Sequence, residues 1–203
     1  MADPRKILGT RSQHPPSDLH TRQLPIKELS GNLYRIHQSE NGPIYFGRSK
    51  TTRFDHPDGT AGTFGTLYVA QDEYGAFIET FGESEGNTVS EAGLSSKSIS
   101  TITIKPMQFV DVTASGAAHI GAAGEISAGD HALSQLWAKE LFHHPDKPDG
   151  IYYRARHDLS KFSIAIFDRS PKLVGCASTV GLMDLPFRPI LGKILDHYRF
   201  SLV

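Results

Sequence analysis

Gly65-Thr66-Leu67-Tyr68-Val69-Ala70-Gln71-Asp72-Glu73-Tyr74-Gly75-Ala76-Phe77-Ile78-Glu79-Thr80-Phe81 reads as a strand that runs directly into a capped helix. Thr66 to Ala70 is short, β-branched and apolar, as a strand should be. Asp72 is placed to accept from the free N–H groups of a helix start. Ala76, Phe77, Thr80 and Phe81 then form the inward stripe, and Glu79 lies about 200° round the helix from Phe77. Helical side chains lean toward the N-terminus, so Glu79 covers Gly75 and Ala76, where little side chain fills the space beneath it.

Upstream, Gly31 to His37 alternates as a strand, with Leu33, Arg35 and His37 on one face and Tyr34 and Ile36 on the other. Residues 47 to 65 form a loop rich in glycine and threonine that carries Arg53. Residues 1 to 24 contain Pro4, Pro15 and Pro16 with no periodicity, and read as a flexible arm before a domain spanning 25–203.

Downstream, Glu83 to Ser98 is rich in serine and glycine and reads as a loop or insertion. A strand follows over roughly Ile99 to Thr113, interrupted at Pro106. Asp130 caps a helix in which Leu133, Leu136, Trp137, Glu140 and Leu141 recur at helical spacing, with Pro145 just beyond it. His143 and His144, at its end, read as a C-terminal cap rather than a metal pair. Two strands come next, Gly150 to Arg156 and Phe162 to Phe167, the second apolar on both faces and therefore central. A last helix covers Ile190 to His197. This uneven alternation predicts one mixed α+β domain rather than a doubly wound sheet.

The 203 residues carry 21 basic and 22 acidic side chains, for a net charge of −1. That balance lacks the basic stripe of a nucleic-acid binder, so no direct nucleic-acid binding is expected. No apolar run is long enough for a membrane span and no signal-peptide core is visible, which makes cytoplasmic residence the default. Cys176 is the only cysteine, so no internal disulfide can form; its apolar neighbours suggest a small core residue. The glycines at 59, 62 and 65 precede a strand rather than opening a helix, so they are not a dinucleotide fingerprint. No catalytic metal is expected.

Four side chains carry the chemistry. Arg35 is either an exposed strand residue or a planar fork for a pyrophosphate, and Arg53 either a solvated loop residue or a second phosphate clamp. Tyr68 is either a core tyrosine or a ring that packs on a nicotinamide or ribose. Glu79 is either a solvated helix glutamate or a fixed anion beside a developing sugar cation. Cleavage between nicotinamide and ribose passes through an oxocarbenium-like state, which such an anion stabilises. Cations at one end and a carboxylate at the other suit a dinucleotide such as NAD.

In this order, Leu33-Tyr34-Arg35, Thr52-Arg53-Phe54, Gly65 to Ala70, Ala76-Phe77-Ile78-Glu79-Thr80 and Asp149-Gly150-Ile151-Tyr152-Tyr153-Arg154-Ala155-Arg156-His157 resemble the RES-domain family. The resemblance runs from about Leu33 to Arg169. It implies a split, mixed sheet with flanking helices, similar to ADP-ribosyltransferases. It also implies an NAD-degrading toxin acting by hydrolysis or phosphorolysis, with NAD as substrate rather than cofactor and inorganic phosphate as a co-substrate. ADP-ribosylation of a protein target and a non-catalytic NAD- or partner-binding module are the alternatives. The implied partner is an antitoxin that plugs the active site, with an oligomer formed together with it. Arg35 and Glu79 would be the catalytic arginine and glutamate, with Arg53 and Tyr68 in support. The departure is Ala155, which stands where the pattern carries a serine. Sharing a face with Ile151 and Tyr153, it is expected on the pocket floor. Either the chain is an impaired or altered variant, or carries a deliberate inactivating change, or a nearby hydroxyl or water takes the serine's place.

Overall fold

The computed structural model describes residues 14–122 and 125–203. Residues 1–13 of the expected arm lie outside that range. From His14 onward the arm packs on the domain: Leu19 and Leu24 are buried in the main core, and Arg22 donates to the Ile120 carbonyl at 3.0 Å.

The strands in chain order are β1 (Ile26–Gln38), β2 (Thr66–Ala70), β3 (Thr88–Val89), β4 (Lys97–Asp111), β5 (Gly150–Arg154), β6 (Phe162–Phe167), β7 (Val174–Gly181) and β8 (Ser201–Leu202). The helices are α1 (Glu73–Phe81), α2 (Glu91–Ser95), α3 (Ala114–Ile120), α4 (Glu125–Ala128), α5 (His131–His143) and α6 (Arg188–Tyr198). The large sheet runs β1-β2-β6-β5-β4-β7, and β1 also pairs along β4, so five of its strands close on themselves. Only β4 and β5 are parallel within it. This is the mixed α+β domain with a split sheet that the sequence predicts.

The closure is uneven. β1 and β4 share a long antiparallel ladder, whereas β1 meets β2 in one register pair, Tyr34 with Ala70. The sheet therefore opens along the β1–β2 seam. Pro106 does not interrupt β4; it lies opposite a bulge, where β1 advances from Leu29 to Gly31 while β4 goes from Met107 to Ile104. A residue without an N–H is tolerated where the ladder is already broken, and Gly31 takes the positive φ of 103° there.

Several elements depart from expectation. The stretch 83–98 is not an insertion loop: it forms α2 and β3, and β3 pairs with β8 from the end of the chain. β7 is an edge strand, and Cys176 within it is exposed rather than a core residue. On α5 the buried stripe is Ser134, Trp137, Ala138 and Leu141, with Gln135 beside it, rather than the leucine-centred stripe. The cap residues Asp72 and Asp130 do accept from the first turns of α1 and α5, at 2.7 and 3.0 Å. His144 is the C-cap of α5 and is buried, 3.2 Å from the Leu19 carbonyl.

One face of the sheet, bearing Ile151, Ala165 and Phe167, packs under α5 against Phe54, Phe64, Trp137 and Leu141. Phe64 stacks on Phe142 at 4.5 Å between ring centres and meets Phe167 edge-on at 4.9 Å. Among the described residues no helix is long and apolar enough to cross a membrane.

Candidate active site

At the seam between β1 and β2 the same sheet face opens into a cleft of about 440 Å³, a volume typical of small-molecule sites. Its deep surface comes from one row across the sheet. Tyr34 pairs with Ala70, Ala70 with Ser163, and Ser163 with Tyr153. Ala70 and Ser163 are small and buried, so no large side chain rises from them into the cleft, while Tyr34, Tyr68 and Tyr153 line its sides. Small residues within an aromatic surround are what make the hollow.

Arg35, Arg53, Tyr68 and Glu79 all line this cleft. Each is held in a different way. Arg35 is half-buried and donates from Nη1 to the Tyr68 carbonyl at 2.9 Å, reaching across the open seam. Its Nε is buried without a hydrogen-bond partner, and burial lowers the pKa of the guanidinium. Arg53 is buried and donates from Nη1 to the Gly129 carbonyl at 2.8 Å, just before α5. Its loop is secured by Gln135, whose Nε2 donates to the Lys50 and Thr52 carbonyls at 3.0 Å each. Burial is the main influence on Arg53 and lowers its pKa; the Tyr153 phenol and the Glu79 carboxylate act the other way.

The Tyr68 hydroxyl accepts from the Phe54 N–H at 2.8 Å and donates to Asp55 Oδ1 at 3.3 Å. Both ends of this tyrosine are thereby fixed, leaving its ring as cleft wall. Burial first, then the Asp55 charge, holds its pKa well above the ordinary value.

Glu79 points away from the buried stripe of α1, as its helical position requires, and projects into the cleft. Its Oε1 accepts from the Arg156 backbone N–H at 3.0 Å, and its Oε2 accepts from the Tyr153 hydroxyl at 3.4 Å. The residue keeps a solvent-facing side at the open mouth, yet protein atoms crowd its carboxylate. That burial raises its pKa, against the lowering effects of the Arg156 amide, His157, Arg53 and the Tyr153 hydroxyl.

Ala155 is not on the pocket floor. It is 0% exposed and packs in a second core with Phe77, Ile78, Leu182 and Ile194. The physical reason is that β5 ends at Arg154, so the two-residue alternation that aims Ile151 and Tyr153 at one face stops before it reaches Ala155. The neighbouring serine that does line the cleft is Ser163, one strand over.

Sequence reasoning also did not single out Tyr34, Tyr153, Arg156, His157 and His131, which contribute to the lining. Tyr153, Arg156 and His157 fall inside the quoted run 149–157, so a signal existed for them. Ser163 and His131 had none beyond their place near a strand or helix start. Among the described residues no group of three or more histidine, cysteine, aspartate or glutamate side chains is arranged to hold a metal ion.

A mixed sheet split at one seam, with flanking helices and a cleft at the opening, defines a mixed α+β domain whose candidate site lies at that opening. A family model described as the RES domain matches residues 32–188, most of the chain, and the protein belongs to that family. Over 76 residues, 37% of this chain, it is 34% identical to a Sinorhizobium fredii protein named "Probable toxin y4kH"; the match spans 58% of that protein's length. The fold is similar to a chain in the crystal structure of the M. tuberculosis MbcT-MbcA toxin-antitoxin complex, with a TM-score of 0.62 and 14% identity. That likeness covers 87% of this chain and 98% of the other.

Proposed function

We propose that this protein is an NAD-consuming toxin that cleaves the bond between nicotinamide and ribose and is held in check by a partner antitoxin. The observation that carries the reading is the convergence of Arg35, Arg53, Tyr68 and Glu79, from separate segments, on one cleft. The named relative and the toxin-antitoxin structure of the same fold support the biological setting.

In this reading the two guanidinium groups hold the pyrophosphate and keep the sugar in place. Nicotinamide departs with the electron pair of the broken C–N bond, leaving positive charge on the ribosyl carbon. Glu79, as an anion oriented by the Tyr153 hydroxyl and the Arg156 amide, stabilises that charge. Water then adds to the carbon and releases a proton, or a phosphate oxygen adds to give a ribosyl phosphate. Transfer to a protein side chain uses the same cation and remains the alternative acceptor chemistry. The burial of Ala155 supports a working site over an impaired one, because the residue that departs from the family pattern does not face the ligand space.

The test is a time course of NAD loss, with and without phosphate, and mass identification of the ribosyl product. Nicotinamide release with ADP-ribose or its phosphorylated counterpart is the expected result. Intact NAD after prolonged incubation with folded protein would remove the reading.

A further inference from the structure

Among the described residues, four buried side-chain atoms lack a hydrogen-bond partner: Arg35 Nε, His56 Nε2, Ser163 Oγ and Arg169 Nε. Two of these groups stand against aromatic rings. His56 meets Phe64 edge-on with ring centres 5.0 Å apart, and the Arg169 guanidinium lies 4.2 Å from the Phe142 ring centre. An aromatic face attracts a cation, which gives Arg169 a substitute for a conventional acceptor, and neither Arg169 nor His56 lines the cleft. The other two, Arg35 Nε and Ser163 Oγ, belong to residues that line the cleft.

Ser163 is the sharper case. It is 2% exposed, in the strand with neighbours on both sides, and sits between Ala70 and Tyr153 in the row that forms the cleft's deep surface. The Tyr153 phenol is its polar neighbour, but no hydrogen bond of ordinary geometry joins the two, and the Oγ is left without a well-made partner. A buried hydroxyl without a partner costs free energy in the empty protein. Nothing about strand formation asks for serine here; alanine would fill the same row as Ala70 does.

The surroundings limit what could reach it. Tyr34, Tyr68 and Tyr153 offer ring faces or edges, which suits a flat aromatic group. Glu79 is hydrogen-bonded to this row through the Tyr153 hydroxyl, and its charge repels an anion there, whereas the guanidinium groups of Arg35 and Arg53 are held by the Tyr68 and Gly129 carbonyls. A neutral, planar, hydrogen-bonding substituent fits both conditions.

We propose that Ser163 reads the buried end of the ligand, hydrogen-bonding a neutral amide on its aromatic ring and so setting a preference for a carboxamide over a carboxylate. This rests on the dinucleotide reading above, in which that group is the nicotinamide carboxamide. The hydroxyl can donate to the amide oxygen or accept from its NH2, whereas a carboxylate at the same place meets the field of Glu79.

The experiment compares calorimetric binding of NAD and of its deamido counterpart, which carries nicotinic acid, to the wild-type chain and to Ser163→Ala, at low temperature and on early time points to limit turnover. Wild type is expected to bind NAD about tenfold or more tighter than the deamido form, and Ser163→Ala to lose most of that difference, as expected when one buried hydrogen bond is removed. The melting temperature of the empty Ser163→Ala protein is expected to equal or exceed that of wild type, because the substitution removes an unsatisfied group. NAD binding by wild type with the same amide preference in Ser163→Ala would overturn this inference alone. A lower melting temperature of the empty variant would also overturn it, by making Ser163 a structural residue. Failure of wild type to bind either dinucleotide would overturn the dinucleotide reading and this inference together.

Discussion

Two stretches of one sheet face, two residues apart along the strands, are built in opposite ways. At one, Ile151, Ala165 and Phe167 lie beneath Phe54, Phe64, Trp137 and Leu141, and the aromatic rings interlock. At the other, Ala70 and Ser163 are small buried residues at the floor of the cleft, with a buried hydroxyl and a buried guanidinium nitrogen left unmatched. The strands are continuous between them, so backbone conformation does not explain the difference. Side-chain size and the path of the covering segments do: α5 and the loop through Phe54 roof the first stretch, and α1 meets the second at Gly75, beside Ala70, where no side chain fills the space. Stability is concentrated in one stretch, and the unsatisfied groups that a ligand could satisfy are concentrated in the other.

The comparison can be broken most severely at Glu79. Glu79→Gln is expected to lower nicotinamide release by roughly a thousandfold, as for loss of a preorganised charge-stabilising group. A carboxyl whose pKa is raised on folding favours the folded state only while protonated, so at neutral pH its charge opposes folding. Thermal melting of the variant at neutral pH should therefore match or exceed wild type, and a clear fall would assign Glu79 to structure. In wild type, the anion is lost as pH falls through the raised pKa. The acid limb of the rate profile should then lie above the ordinary glutamate value of 4.5.

The packed stretch should behave in the reverse manner. Trp137→Ala removes a fully buried ring and is expected to cost about 3–5 kcal/mol in denaturant melts. Under conditions where that variant stays folded, its affinity for NAD should change little. Arg35→Ala should weaken NAD binding by about 1.5–3 kcal/mol, the range for a hydrogen bond to a charged group, as read by calorimetry. The smallest contrast comes from Ala155→Ser. A hydroxyl introduced into the core around Phe77 and Ile194 is expected to cost about 1–3 kcal/mol of stability with no gain in nicotinamide release. A rise in turnover would show that Ala155 reaches the cleft after all.

Local chemistry was legible in the sequence; alternation extended past its element was not. β2 and β6 were readable to the residue, because each is a compact apolar run bounded by turn residues. The caps Asp72 and Asp130 announced α1 and α5. By contrast, β3 owes its existence to β8, more than a hundred residues away in the chain, and no local pattern encodes such a pairing. β7 escaped notice because four consecutive edge residues, Cys176 to Thr179, are all exposed and show no alternation. The same reasoning explains the site. Arg35, Arg53, Tyr68 and Glu79 stood out because their types suit a charged ligand, whereas Ala155 was assigned by continuing a strand period beyond Arg154. Ser163 looked like an ordinary strand serine until its register beside Ala70 and Tyr153 was known.

The join between β1 and β2 rests on a single backbone register pair and, beside it, on the guanidinium of Arg35 clasping the Tyr68 peptide oxygen. The group proposed to hold the pyrophosphate is thus also a rivet in the wall of the barrel. On the proposed reading, occupancy and the mechanical tightness of that wall are coupled through one side chain, so a pull on the ligand would tug at the closure of the sheet.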